Sequence, residues 1–212
     1  QAHGTSLFAV ASTGIAGAIS YVDHVQWESA AAVALCGIFT ARIGARATST
    51  MSGKSLKRSL GALMLVMASA LPAKAYLIEN AEADERTEEE RSVVSRLLPP
   101  SLIGLCSGFL AGFFGVGGGT IVVPALTVAT DCTHYQALAT SLCAMTLPAL
   151  SGTLTHYRAG NVVMRVAPAL ALGSFVGAFA GGKLALKTDE TTLRYGFSTL
   201  LTMLGLRTII KA

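Results

Sequence analysis

The residues of this sequence that are best suited to hold a ligand form one glycine-rich turn. Gly115, Gly117, Gly118 and Gly119 lie close together, and Thr120 follows them. Glycines let a ligand approach the backbone, and a helix that begins here would present unpaired N–H groups and the positive end of its dipole. Thr120 stands where it could cap that helix and also contact the ligand. The pattern suits an oxyanion site, and it suits equally well a hinge that only allows helices to pack.

Two Thr-Ser pairs are candidates for the same chemistry. Thr5-Ser6 and Thr140-Ser141 lie within apolar segments, 135 residues apart. A hydroxyl in an apolar helix either bonds to a carbonyl one turn back or faces a polar cavity. The first role is the more common one, but the duplication strengthens the case for the second, because a site between two repeats would be lined by equivalent positions. The predicted substrate-binding residues are Gly117, Gly118, Gly119, Thr120, Thr140, Ser141, Thr5 and Ser6.

The segment that carries the glycine-rich turn, residues 97–130, is uncharged and 34 residues long. About 20 helical residues cross the roughly 30 Å hydrocarbon core of a bilayer, so the segment is too long for one straight crossing. Glycine and proline disfavour a helix interior, and Pro124 follows the four glycines. We therefore predict two half-helices, roughly 101–116 and 120–130, joined by an unwound link. Broken helices in transporters usually mark the substrate site.

The composition predicts an all-α, polytopic membrane helix bundle. The 212 residues are 52% hydrophobic and 13% charged, with a mean hydropathy of +0.57, so the chain has too little charge to cover a soluble surface. The net charge of +4 is no nucleic-acid signature, because the basic residues lie at the ends of apolar segments. Apart from the broken segment, the expected spans are residues 1–22, 28–45, 59–78, 136–157, 162–186 and 194–211.

A weak internal repeat relates these segments. Residues 1–7 align with residues 136–142, and the match continues with small shifts through three spans. We predict a first repeat at 1–78, an acidic hydrophilic linker at 79–96 and a second repeat at 97–212 that opens with the broken helix. We also expect that a glycine-rich element of about 39 residues, equivalent to 97–135, is missing before Gln1 or is absent from the first repeat. The repeats are inverted if 97–130 re-enters and parallel if it crosses. The distribution of Lys and Arg leans weakly toward parallel repeats, and the sequence leaves the choice open.

Other residues carry mainly structural predictions. The four cysteines form no metal-binding or disulfide pattern and no nucleophile–base–acid arrangement stands out, so we predict no metal, no cofactor and no enzymatic activity. His24 and His134 lie between apolar segments and are expected to be solvated. Glycines at every fourth position predict close helix packing along two ridges: Gly104, Gly108 and Gly112, and Gly173, Gly177 and Gly181.

The same motifs resemble the TauE/SafE family of membrane permeases, often called sulfite exporters. The resemblance rests on residues 108–119 (GFLAGFFGVGGG), on Pro124-Ala125-Leu126 and on Ala139-Thr140-Ser141-Leu142. It implies a two-repeat permease for small sulfur-containing or organic anions such as sulfite, sulfonates or sulfoacetate. It also implies that the glycine-rich turn and the Thr-Ser pairs face the anion.

A non-transporting membrane scaffold or assembly subunit that retains the permease fold is the alternative. The expected partners are a small anionic substrate and the lipid bilayer, with no nucleic acid, while a coupling ion and the oligomeric state stay open. We expect an integral, multi-pass membrane protein, with the plasma membrane favoured. The loop between the second and third spans is rich in Lys and Arg, which predicts that it is cytoplasmic.

Overall fold

The computed structural model describes residues 2–48, 52–80, 93–114, 119–130, 132–158, 160 and 162–211. This part of the chain is helical and contains no strand, which confirms the predicted all-α bundle. Its helices are α1 (Ala2–Ser20), α2 (Trp27–Thr48), α3 (Gly53–Asn80), α4 (Val93–Phe114), α5 (Gly119–Ala129), α6 (His134–Arg158), α7 (Ala167–Ala185) and α8 (Glu190–Ile210), with a 3₁₀ turn, Val22–His24, before α2. Most of the expected acidic linker, residues 81–92, lies outside the described residues.

Several helices are suited to a bilayer. Four stretches are long and apolar enough to cross one: Gly53–Ala73, Leu97–Phe114, His134–Leu154 and Ala167–Ala185. Shorter apolar helices cover Phe8–Ser20, Trp27–Ala41 and Gly119–Ala129. Large apolar side chains point outward, among them Phe39, which is 73% exposed, and Leu172. A surface of this kind is favourable against lipid, so the chain is an integral, multi-pass membrane protein.

The glycine-rich segment forms two helices, but the first is longer than expected. α4 ends at Phe114 and α5 begins at Gly119. Residues 115–118, which include Gly117 and Gly118, lie outside the described part. The sequence placed the start of the first helix after Pro99 and Pro100, whereas α4 begins at Val93 and runs through both prolines. Pro100 is fully buried, and prolines inside membrane helices are tolerated where neighbouring groups satisfy the freed backbone carbonyls.

The first glycine ridge packs α4 directly against α2. A Cβ atom on Gly104 would lie 2.8 Å from the Cα atom of Val33. One on Gly112 would lie 2.9 Å from the Cα atom of Ala41, and one on Gly108 would overlap the facing backbone. The predicted close packing is confirmed for this ridge. The two helices run parallel, because both contacts keep nearly the same residue offset.

The second glycine ridge has no such neighbour. A Cβ atom added at Gly173, Gly177 or Gly181 of α7 would meet nothing within 4 Å in the described structure. The packing prediction is therefore wrong for this ridge within the described residues. Small residues at every fourth position make a flat helix face, but they do not supply the helix that packs on it.

Two helix pairs run antiparallel. Gly14 of α1 lies against Thr146 of α6, whereas Gly17, further along α1, lies against Leu142, which is earlier in α6. In the same way Gly61 near the start of α3 meets the end of α8. Further along α3, the carbonyl oxygen of Ala68 accepts a 2.6 Å hydrogen bond from Ser198, which is nearer the start of α8.

These directions give the bundle two chemically different ends. The acidic end is where α1 and α7 end and where α2, α6 and α8 begin; its described carboxylates are Asp23, Glu28, Asp189 and Glu190. The basic end is opposite, and its connections and the helix ends beside them carry Lys54, Lys57, Arg58, Arg158 and Arg165. Because α4 runs parallel to α2 and α5 leads back to the start of α6, the α4–α5 segment begins and ends at the acidic end.

Candidate functional site

The first residue of α5 lies against the middle of α6. A Cβ atom on Gly119 would lie 2.9 Å from the sulfur of Met145 and 3.6 Å from the hydroxyl oxygen of Ser141. Met145 follows Ser141 by one helical turn, so both side chains lie on the face of α6 that meets α5. The missing side chain at Gly119 therefore brings the start of α5 next to Ser141.

Two hydroxyl groups at this place are buried without a hydrogen-bond partner among the described residues. Ser141 is only 1% exposed and its oxygen is unpaired, and the oxygen of Thr120 is buried and unpaired as well. A buried unpaired polar group is costly, and in a native structure it commonly indicates a bound water, ion or ligand. Thr120 lies inside the first turn of α5 and its hydroxyl makes no capping bond, so the suggested capping role is wrong.

The electrostatic field at this place favours an anion. The N-terminal end of α5 carries a partial positive charge, and the first N–H groups of a helix have no partner within it. Residues 97–130 contain no charged side chain, and α6 contains no Asp or Glu. N–H and O–H donors without a nearby carboxylate can bind an oxyanion. Among the described residues no cluster of His, Cys, Asp or Glu could hold a metal ion.

Thr140 and Thr5 use their hydroxyl oxygens in another way. The Thr140 oxygen accepts a 3.1 Å hydrogen bond from the backbone N–H of Gln26. The Thr5 oxygen accepts a 3.0 Å hydrogen bond from the backbone N–H of Val163. In both cases a helix of one predicted repeat is joined to a connection of the other.

The structure thus brings together only part of the predicted residue set. Gly119 lies against Ser141 at the start of α5; Thr120 follows Gly119 in the chain, and Thr140 precedes Ser141 on α6. Thr5 and Ser6 lie near the basic end, roughly 20 Å along the α1–α6 pair from Ser141 at 1.5 Å per residue.

Polar contacts at the start of α6 were missed by the sequence reading. The N–H of Thr133 donates to the Gln136 side-chain oxygen at 2.9 Å, and the N–H of Gln136 donates to the Thr133 hydroxyl at 3.2 Å. This is a capping box, and its signal is the Thr-x-x-Gln pattern. The N–H of His134 donates to Glu190 Oε1 at 2.7 Å. His134 is completely buried beside the Phe197 ring, so the expectation that it is solvated is wrong, because α8 covers it.

Comparison with known proteins identifies the chain at the level of its family. The family described as "Sulfite exporter TauE/SafE" matches residues 1–208. A probable membrane transporter protein of Xylella fastidiosa strain 9a5c is 29% identical over 87% of this chain and 69% of its own length. Its counterpart in strain Temecula1 is 30% identical, over 89% and 70%. The probable membrane transporter protein YunE of Bacillus subtilis is 26% identical, over 98% and 80%.

No solved structure matches the chain at a significant level. The names of the relatives indicate a membrane permease rather than an enzyme. Because the family match spans nearly the whole sequence, the chain belongs to the sulfite exporter TauE/SafE family.

Proposed function

We propose that this permease moves small sulfur-containing or organic anions, of the sulfite, sulfonate or sulfoacetate type, across the membrane. The observation that carries the proposal is the position of Ser141, whose buried and unpaired hydroxyl faces the start of α5. Its O–H, the O–H of Thr120 and the first N–H groups of α5 donate to the oxygens of the anion. Hydrogen bonds to a charged acceptor are about twice as strong as neutral ones, which favours an anion over a neutral solute.

The remaining predicted residues have secondary parts in this proposal. Gly117 and Gly118 let the anion approach the backbone before α5. Thr140 accepts the N–H of Gln26 with its oxygen, and its own proton remains a donor beside Ser141. Thr5 and Ser6 contact the anion at another point of its path, nearer the basic end.

The test is anion flux into proteoliposomes, with sulfite and a short sulfonate as substrates. Ser141→Ala removes the hydroxyl that faces α5. A hydrogen bond to a charged group contributes about 1.5–3 kcal/mol, so flux at low anion concentration should fall roughly ten- to a hundredfold. The thermal stability should hardly change, because the hydroxyl has no partner to lose among the described residues.

Thr153→Val is the matched control. Thr153 lies on the same helix, is 8% exposed and also has an unpaired buried oxygen, but it is three turns beyond Ser141. Its loss should leave flux within about twofold of the unchanged protein, as expected of a site away from the donor set. Equal effects of the two substitutions would contradict the assignment. A folded protein that carries neither anion would favour another substrate or the scaffold alternative.

A further inference from the structure

Two hydrogen bonds of the same kind join opposite halves of the chain. One runs from the N–H of Gln26, just before α2, to Thr140 on α6. The other runs from the N–H of Val163, in the connection before α7, to Thr5 on α1. Thr5 and Thr140 occupy matching positions in the sequence comparison, and both are buried, with 7% and 1% of their surface exposed. The two bonds are therefore equivalent under the proposed repeat.

The two bonds lie at opposite ends of the bundle. α1 and α6 run antiparallel, so a residue near the start of α1 and one near the start of α6 are far apart. Thr140 is at the acidic end, and Thr5 is at the basic end. α3 and α8, which are also equivalent under the repeat, run antiparallel as well. Equivalent helices that pack antiparallel are what two inverted copies would give, with a pseudo-two-fold axis in the membrane plane.

We propose that Thr140 and Thr5 are positioning residues that hold the acidic end and the basic end closed, and that transport requires the two bonds to break in turn. The proposal rests on the proposed function, because it deepens how the same site is reached. In alternating access one unit rocks against the other around a fixed site. Each bond ties a helix to a connection of the other half at one end of the bundle, so a motion that opens that end by moving the two apart must break the bond there and can keep the other.

The local chemistry suits such a bond. The backbone N–H groups of Gln26 and Val163 lie in connections beside apolar helices, where an unpaired donor is costly. The threonine hydroxyl satisfies each donor while the end is closed, and water satisfies it once the end opens. The N–H group has a hydrogen-bond partner in both the closed and the open state, so the closed state has only a slightly lower free energy.

Sided labelling of a buried reporter tests the proposal. Ser141→Cys is introduced into the chain after the native cysteines, Cys36, Cys106, Cys132 and Cys143, are replaced by Ala. The rate at which a membrane-impermeant thiol reagent modifies this cysteine from each side of the vesicle is then measured. Thr140→Val should raise labelling from the acidic end about fivefold, since loss of one net hydrogen bond shifts a two-state equilibrium by about that factor. Thr5→Val should raise labelling from the basic end instead.

Conservative and partner-side variants separate positioning from general destabilisation. Thr140→Ser and Thr5→Ser keep the hydroxyl and should restore the original labelling rates. Gln26→Pro removes the donor and leaves Thr140 in place, and the preceding Val25 has ψ 122°, which suits a residue before proline. This variant should reproduce the effect of Thr140→Val even if the valine variant itself folds poorly.

Opposite effects of the two valine variants support the proposal, and the same effect on both sides, or none in folded protein, overturns it. The labelling rate does not depend on substrate flux. Flux is measured separately in the cysteine-free chain that keeps Ser141. If the opposite shifts are seen but this chain carries neither sulfite nor sulfonate, the positioning roles stand and the proposed substrate class is lost. If the anions are carried but the opposite labelling shifts are not seen, the substrate class stands and the positioning roles are lost.

Discussion

Met145 covers the start of α5 and limits the space beside Ser141. Its sulfur would be 2.9 Å from a Cβ atom at residue 119, so Gly119→Ala must push Met145 away or narrow the site. Met145 is flexible and adaptable, so the fold should tolerate the change at a cost of about 1 kcal/mol. Sulfite flux should fall nevertheless, because the added methyl lies next to the Ser141 hydroxyl.

The double variant Gly119→Ala, Met145→Ala tests whether space is the cause. If crowding explains the loss, the second substitution should recover most of the sulfite flux. Met145→Ala alone should raise the flux of a larger sulfonate relative to sulfite. An unchanged preference between the two anions in Met145→Ala would mean that Met145 does not limit the size of the site.

At the residue scale, residue type and spacing identified the candidate hydroxyl groups, but not the groups to which they hydrogen-bond. The glycine-rich turn and the Thr-Ser pairs were found from residue type and spacing, and the structure places Gly119, the residue before Thr120, against Ser141. Met145 was missed, although its spacing of four from Ser141 was a visible helical signal. The partners of Thr5 and Thr140 could not be predicted, because Val163 and Gln26 act through backbone N–H groups, which carry no sequence signature.

At the element scale, α4 depends on glycines for its contact with α2. A Cβ atom on Gly108 would overlap the Gly37 backbone, which cannot move as a flexible side chain can. Gly108→Ala should therefore destabilise the protein by about 1–3 kcal/mol, measured by thermal unfolding in detergent. Gly177→Ala is the matched control, since it changes a glycine of the same spacing on α7 with nothing within 4 Å in the described structure.

The control should be neutral or stabilising by up to about 1 kcal/mol, because alanine is the better helix former. If the two alanine variants unfold at the same temperature, the glycines of α4 are not needed for its close packing on α2.

The sequence predicted both glycine ridges, but it did not predict which of the two packs against another helix. Helix ends were predicted less well: Pro99 and Pro100 suggested a start after Pro100, but both lie inside α4, and Pro100 is fully buried.

At the scale of the whole molecule, charge separates along the bundle. The acidic end holds Asp23, Glu28, Asp189 and Glu190, which are the acidic residues whose side chains the structure describes. Among the side chains that the structure describes, Lys and Arg favour the opposite end: Lys54, Lys57, Arg58, Arg158, Arg165, Arg207 and Lys211, against Lys183, Lys187 and Arg194 at the acidic end. Short loops rich in Lys and Arg usually face the cytoplasm, so we predict that the basic end is cytoplasmic. The sequence alone could not assign the charged loops of the two halves to the same side of the membrane, because it did not settle whether α4–α5 crosses or returns.

Single cysteines in a cysteine-free chain test this arrangement. Asp23→Cys and Thr133→Cys should react with an impermeant thiol reagent only from the outside, because both connections lie at the acidic end. Ser52→Cys and Met164→Cys should react only from the cytoplasmic side, since both lie at the basic end and are exposed.

Thr133 is the position that distinguishes a returning α4–α5 segment from one that crosses the membrane. If α4–α5 crossed the membrane once, Thr133 would react from the side opposite to Asp23, α1 and α6 would run parallel, and the crossed roles of Thr5 and Thr140 would have no structural basis. Reaction of Thr133→Cys from the same side as Asp23→Cys would instead mean that α4–α5 enters and leaves the membrane on one side. The two repeats would then be inverted, as the proposed roles of Thr5 and Thr140 require.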